Sequence, residues 1–395
     1  MKYHQIDCLK VHLIFMKVLG VWPGDKPNRF YVYYSRILIF LFVVLYMFLY
    51  TLSFYYLPPK LEIFAEELIL YFTVIGVLPK VGAFIFSRDK FQGMLDMLES
   101  DVFQSKNDEE AKMIKAAKQN TILYWKVTAG ISIVANIANV FTPFITHLIF
   151  SIDLQFPVCR YAFIPESYRP TFLYPAYLYQ SLGIICHMFY NVNVDTFLLG
   201  VIFLAIVQLD ILDMKLRKVA DVCKPPDMIR GPIDKAIDDH NALMEINSCI
   251  KHYDAICNYC NLLQQAFSEI LFVQFSSGSS KICVCLFRFT FPAATEYYVF
   301  LLMYIIVMIL QTMVPCWFGS QIEEKSSDIT FAVYACDWTP RDHRFKSNLR
   351  LLVERAKKPL ILRGGKMFLL SLGTFTGIMK SSYSFFTLLR HMQSR

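Results

Sequence analysis

The sequence predicts an all-α polytopic membrane protein of seven transmembrane helices, with a cytoplasmic N-terminus, an extracellular C-terminus and a last helix that lines a pore. Three observations predict it. At 395 residues, 55% hydrophobic and 18% charged, with a mean hydropathy of +0.41, the chain is too apolar for a soluble protein of its size. Its apolar stretches also have the right length: a hydrocarbon core of about 30 Å takes roughly 20 helical residues, and residues 37–59, 127–152, 170–194 and 297–322 contain no Asp, Glu, Lys or Arg. The last apolar segment carries Gly373, Gly377, Lys380, Ser384, Thr387 and His391 at alternating steps of four and three, which is one side of a helix. Hydrocarbon offers polar side chains no partners, so that side turns toward protein or a water-filled path.

Residues 1–36 read as a cytoplasmic tail. The apolar run 11–15 is cut by Lys17 and followed by Pro23-Gly24 without a small-residue cleavage site, which argues against a cleavable signal peptide. Leu13, Met16, Leu19 and Gly20 suit a short amphipathic helix on the inner membrane surface. The first span is 37–59, and the second, 61–86, is interrupted by Glu62, Glu66, Glu67 and Lys80. The third and fourth are 127–152 and 170–194. Between 170 and 209 the only charge is Asp195, and as one helix this stretch runs about 60 Å, twice the membrane, so the fourth helix projects inward. Residues 209–261 form a cytoplasmic loop with helix extensions, broken at Pro225-Pro226 and Gly231-Pro232. The fifth span, 262–290, contains Glu269, Lys281 and Arg288; the sixth is 297–322. A cytoplasmic anchor region, 319–366, leads to the seventh span, 361–390, of which 367–392 is the pore helix.

Seven crossings put the termini on opposite sides of the bilayer. With the N-terminus inside, cytoplasmic segments hold 29 Lys and Arg and external ones 5, the split expected of an internal N-terminus. That orientation is the reverse of a G-protein-coupled receptor. The acidic-Arg-aromatic triplet after a third helix and the Asn-Pro-x-x-Tyr of a seventh are absent too. The net charge of +7 is accounted for by loops beside anionic lipid, so no nucleic-acid role follows from it. Of eleven cysteines only Cys159 falls in an external loop, so no external disulfide is expected. Cys249, His252, Cys257 and Cys260 match no strong zinc spacing and read as free side chains on a helix, with no metal and no cofactor. No metalloprotease helix, nucleophile elbow or phosphate-binding loop points to an enzyme.

A second polar constellation lies on the fourth helix. Gln180, Gly183, His187, Asn191 and Asp195 recur at steps of three and four, bordered by Tyr177, Tyr179, Met188 and Tyr190. A charge near the membrane centre costs roughly 2.5–3.5 kcal/mol, so Asp195 needs a partner or water. The outer half of this face could line a small pocket with Tyr71, Phe72 and Ile75 of the second helix, Ala138, Phe141 and Thr142 of the third, and Tyr298, Leu301, Tyr304 and Ile305 of the sixth. Uncharged and largely aromatic, such a pocket suits a small, mostly apolar molecule held by one or two hydrogen bonds. The alternative for each residue is bundle core. Asp195, Glu269 and Lys281 also leave a secondary transporter open, although no internal repeat supports one.

The closing region runs Gly319-Ser-Gln-Ile-Glu-Glu-Lys-Ser-Ser327, Ala332-Val-Tyr-Ala-Cys-Asp-Trp338, Leu351-Leu-Val-Glu-Arg-Ala-Lys-Lys-Pro359 and Ser382-Tyr-Ser-Phe-Phe-Thr-Leu-Leu389. This succession closely resembles the C-terminal signature of insect odorant receptors, over about 75 residues. The Thr-Tyr and Gln-Phe ending typical of gustatory receptors, the alternative ligand-gated family, is absent. The odorant co-receptor has a much longer second cytoplasmic loop, so the chain resembles a ligand-tuning subunit. The resemblance implies a hetero-oligomer, a tetramer with co-receptor subunits, forming an odorant-gated non-selective cation channel in the plasma membrane of olfactory sensory neurons. It implies a small volatile organic ligand, an anchoring interface at the cytoplasmic ends of the fifth, sixth and split seventh helices, and a central pore lined by the membrane part of the seventh. Aligned through Ser382-Tyr383-Ser384, the family's outer gate falls on Leu388, His391 and Met392. Together with the stripe, this makes Ser384, Thr387, Leu388, His391 and Met392 the expected pore residues, and Lys380 is expected to turn into protein or pair with an acid.

Overall fold

The computed structural model describes residues 4–24, 28–161, 163–165, 167–222, 232–293, 295–335, 338–339 and 341–393. Within them the chain is helical apart from turns and one small hairpin. In order, α1 is Lys10–Val18, α2 Arg29–Tyr55, α3 Leu61–Phe86, α4 Arg88–Glu99, α5 Asp108–Phe150, α6 Arg169–Val222, α7 Pro232–Arg288, α8 Thr295–Tyr334, α9 His343–Ala356 and α10 Leu372–Gln393. Six of these, α2, α3, α5, α6, α7 and α8, are long and apolar enough to cross a membrane. The 22-residue α10 is the shorter helix at the C-terminal end.

Local irregularities have local causes. A π-helical stretch at Phe40–Leu45 widens the middle of α2. In α3 the regular pattern lapses at Gly76, where Pro79 has no N–H to offer the Ile75 carbonyl. The apolar segment 361–390, interrupted in sequence by Arg363 and Lys366, is divided. Gly365 and Lys366 both adopt positive φ and turn the chain into an antiparallel pair, β1 (Arg363–Gly364) with β2 (Phe368–Leu369), before α10 begins. This hairpin is held against α7: Gly365 N–H donates to the Ser268 carbonyl (2.8 Å), and Gln264 bonds both backbone groups of Arg363 (2.5 and 2.6 Å). A Cβ on Gly364 would press on the backbone of Leu271 and Phe272 at 3.0–3.1 Å, and one on Gly365, at positive φ, would overlap the Phe272 side chain.

The α6 helix is the axis of the bundle, packing against α1, α3, α5, α7 and α8. The largest buried cluster gathers Leu9 and Met16, Phe84 and Phe91, Phe197, Tyr259 and Phe267, and Phe345, at the end where α1, α4 and α9 meet the long helices. Here the N-terminal helix differs from a surface-lying one. Its apolar face, with Leu9, His12 and Met16, is buried against α6 rather than turned to lipid, because α6 offers it a continuous apolar wall. The break expected at Pro225-Pro226 and Gly231 lies outside the described residues, as do Cys336 and Asp337.

Candidate functional site

Successive residues on a helix are about 100° apart, so α3 aims neighbouring side chains at different partners. The Tyr71 hydroxyl lies 3.2 Å from Thr51 Oγ1, its ring edge-on to Tyr50 and Phe54 of α2, and Ile75 packs into the same cluster. Thr73 Oγ1 is 2.6 Å from the Tyr304 hydroxyl of α8, which also reaches the Ile69 carbonyl at 3.3 Å. Leu301 is fully buried beside Ile69 and Cys285, with Tyr304 against that cluster. Tyr298 lies at the end of α8, where its hydroxyl donates to the Phe291 carbonyl (2.8 Å) and accepts from Ala293 N–H (3.1 Å).

The polar face of α6 meets α2. The Gln180 side chain is buried and spent on the 157–161 loop: Oε1 accepts from Val158 and Cys159 N–H (both 3.3 Å), and Nε2 donates to the Cys159 carbonyl (2.8 Å). Ser53, Glu67 and Asn139 bind the same loop at Arg160 and Pro157, so four helices hold it. At Gly183 an added Cβ would fall inside the Tyr46 ring. His187 Nε2 donates to the Phe42 carbonyl (2.8 Å), with its ring 4.9 Å from that of Tyr46. Met188 is half-buried.

The structure therefore does not gather the expected ligand residues into one pocket. Tyr298, Leu301 and Tyr304 meet α3; Gln180, Gly183 and His187 fill a contact with α2; Ala138, Phe141 and Thr142 face outward, Phe141 being 53% exposed. The α5 residues that do face the bundle are Asn139, which donates to the Pro157 carbonyl (3.0 Å), and Val140, whose carbonyl accepts from Tyr177. The expected α5 residues lie about one position, or 100°, from this face, whose legible mark was Asn139, a polar side chain that a helix in hydrocarbon turns toward protein.

A cleft of about 690 Å³ opens elsewhere, between α3, α7 and α10. Phe72 borders it, with Phe275, Ser276, Ser279, Ser280 and Cys283 of α7 and Thr374, Ser381, Phe385 and Leu388 of α10. The α7 lining was legible as a signal: 276–280 is a run of small residues, four of them serines, inside an apolar helix.

On α10 the packed side consists of Ile378 and Ser382, buried, with Thr374, Phe375, Met379, Phe386 and Leu389 half-buried, against α7 and α8. Ser382 is pinned to α7, its hydroxyl 3.1 Å from Ser279 Oγ and 3.2 Å from the Ser279 carbonyl. Gly373, Gly377, Lys380, Ser384, Thr387 and His391 are all exposed, and so are Leu388 and Met392. Lys380 neither turns inward nor pairs with an acid among the described residues, because it lies on the face opposite the packed one.

Asp195 has its partners. Oδ1 accepts from Lys80 Nζ of α3 at 2.5 Å and Oδ2 from Gln311 Nε2 of α8 at 2.6 Å, while Lys80 also donates to Asn191 Oδ1 at 2.9 Å. Lys281 of α7 is buried close by, within electrostatic reach of both Lys80 and Asp195. At the C-terminal end of α7, Arg288 pairs with Glu66 (2.5 Å) and Glu62 (3.2 Å) and lies over the Tyr297 ring. His252 Nε2 donates to Gln208 Oε1 (2.9 Å), and Cys249, Cys257 and Cys260 are free thiols.

Long apolar helices around a buried polar centre define an all-α polytopic membrane protein. The profile of the family described as 7tm Odorant receptor matches residues 60–383, most of the chain, and the chain belongs to that family. It is 23% identical to Odorant receptor 67a of Drosophila melanogaster, over 99% of this chain and 97% of that one. It is 24% identical to Odorant receptor Or1 of Anopheles gambiae, with the same two shares. Among solved structures it resembles the olfactory receptor OR5 from Machilis hrabei in complex with eugenol, with a TM-score of 0.81 over 97% of each chain at 13% identity. That likeness is one of fold.

Proposed function

We propose that the chain is the odorant-binding subunit of a ligand-gated, non-selective cation channel, assembled with co-receptor subunits in the plasma membrane of olfactory sensory neurons. The observation that carries this reading is the exposed polar face of α10. The six residues chosen by spacing are all exposed in the single chain, with Gly377 at the edge of the cleft beside α7. In hydrocarbon such a face is costly, and facing a shared aqueous axis removes the cost. Ser384, Thr387, Leu388, His391 and Met392 line that axis in this reading, with the N-terminus cytoplasmic and the C-terminus extracellular.

The ligand is a small, largely apolar volatile, taken up between α3, α6 and α8 near the Thr73–Tyr304 hydrogen bond. The eugenol bound to the Machilis receptor supports that ligand class. Burying about 250 Å² of ligand gains near 6 kcal/mol gross, less the costs of association. Moving a channel from about 1% to 99% open takes about 5.5 kcal/mol of differential affinity, so one odorant opens the channel partially, with micromolar affinity at best.

Recording currents from cells that express the chain with and without a co-receptor, against varied volatiles, tests the reading; silence toward every volatile rejects it. Thr73→Ala and Tyr304→Ala should alter odorant preference without altering assembly. Unchanged dose responses across a broad panel would move the pocket elsewhere.

A further inference from the structure

The cleft between α3, α7 and α10 lies at the level of the apolar segments, and no charged residue lines it. Its walls are aromatic and aliphatic, with Phe72 of α3, Phe275 of α7, and Ile378, Phe385 and Leu388 of α10. At about 690 Å³ it has the size of a small-molecule pocket. Two hydroxyls set it apart from a gap suited to a lipid tail. A serine in an apolar helix can fall back on the carbonyl one turn earlier, as Ser280 does on Ser276 (3.2 Å) and Ser384 on Lys380 (3.0 Å). Ser276 of α7 and Ser381 of α10 line the cleft, and their hydroxyls make no hydrogen bond among the described residues. Hydrocarbon leaves both unmet, whereas a neutral molecule with a hydroxyl or carbonyl oxygen accepts from them.

The position of the cleft gives its occupant a role. Thr374, Gly377, Ser381, Phe385 and Leu388 follow one another at steps of three and four and form one side of α10, about 100° round from its polar face. Opposite the polar face, α10 is packed on α7 and α8 and tied to α7 through Ser279 and Ser382 (3.1 Å). A close-packed contact does not compress, so a displacement of α10 finds its room on the cleft side. Resting on the channel reading above, we propose that the cleft is an inhibitory site for a small neutral molecule with one hydroxyl or carbonyl oxygen, which wedges between α7 and α10 and holds the pore helix in place. Phe72 and Thr73 leave α3 in directions about 100° apart, so this site is separate from the one near Thr73 and Tyr304. Its occupant lowers the largest evoked current without competing with the odorant.

The test uses the full chain with the co-receptor. The probes are phenethyl alcohol and acetophenone, with ethylbenzene as the hydrocarbon control. In a Cys283→Ser background, Ser280→Cys should add maleimide labelling above that of Cys283→Ser alone, and both oxygen-bearing probes should slow that labelling about threefold or more. Ethylbenzene should slow it less, and adding Ser276→Ala with Ser381→Ala should remove the difference. Ser280→Trp, which fills the cleft, should cut the largest odorant-evoked current severalfold at equal surface density by biotinylation; if it fails to reach the surface, Ser280→Leu takes its place with the same criteria. An unlabelled Ser280→Cys, which means that lipid or a neighbouring subunit covers the cleft, overturns the site. Equal protection by ethylbenzene, or a wild-type largest current in Ser280→Trp, overturns it as well. Labelling is read without current, so a silent wild-type chain condemns the channel reading, whereas a responsive wild type with an unprotected cleft condemns this site alone.

Discussion

At Gly183 the absence of a side chain lets α6 approach Tyr46 of α2, and a Cβ there overlaps the ring. Gly183→Ala should therefore cost about 1–3 kcal/mol as an overpacking change, read as a lower unfolding temperature of the solubilised protein. His12 supports a second expectation. Packed edge-on against Trp125 and Phe197, it has its pKa pushed down by burial from the usual 6.5 to about 4, a drop the Leu9 backbone partly offsets. The unfolded chain takes up that proton below about pH 6.5 and the folded chain only near pH 4, so stability is complete above pH 6.5 and declines as pH falls through this window. Thermal unfolding between pH 7 and 5 should show the decline, and His12→Phe should flatten it; equal slopes would mean that other groups govern acid sensitivity. Neither residue's role was legible from the sequence. Gly183 read as a pocket residue and His12 as an unremarked position in a surface helix, because which neighbour a side chain meets is a property of two segments far apart in the chain.

For α10 the sequence-based reading combined spacing with the family signature, and the six spaced residues are exposed, as are Leu372, Tyr383, Phe385, Leu388 and Met392, while Thr374 and Ser382 lie on the packed side. On α5 the inward face was marked by a single polar residue, Asn139, which the choice of Ala138, Phe141 and Thr142 passed over. The resemblance implied a split seventh helix but not the hairpin at 363–369. Gly364-Gly365 marks a turn, yet the antiparallel pairing needs the α7 groups of Gln264 and Ser268 to hold it. Lys380 supplies the test at this scale. If α10 borders the ion path, Lys380→Glu replaces repulsion of cations by attraction and should raise divalent relative to monovalent permeability, seen as a positive shift of reversal potential in high external calcium. An unmoved reversal potential would place Lys380 away from the path.

The whole molecule is a bundle about α6, with a buried polar centre that ties α3, α6 and α8 together at Lys80, Asp195 and Gln311. The need of Asp195 for a partner was evident from its position in an apolar stretch; that the partner would be Lys80 was not, since Lys281 was equally available by composition. Orientation is the open property at this scale, and labelling decides it. A cysteine placed at Asp153 should react with a membrane-impermeant thiol reagent on intact cells, and one at Lys346 should react only after permeabilisation. The reverse pattern would invert the charge-based topology.

The sequence by itself determined the class of the protein, the approximate apolar segments, the chemistry of the last helix and the family. Each follows from quantities summed along the chain: hydropathy against a fixed hydrocarbon thickness, charge against a polarised membrane, and residue order within a signature. Only the tertiary structure decided which face of each apolar helix turns inward, which lysine neutralises Asp195, and how the seventh segment divides into hairpin and helix. Those outcomes depend on pairwise packing and hydrogen bonding between segments up to a few hundred residues apart, and a uniformly greasy helix records none of that in its own order of residues.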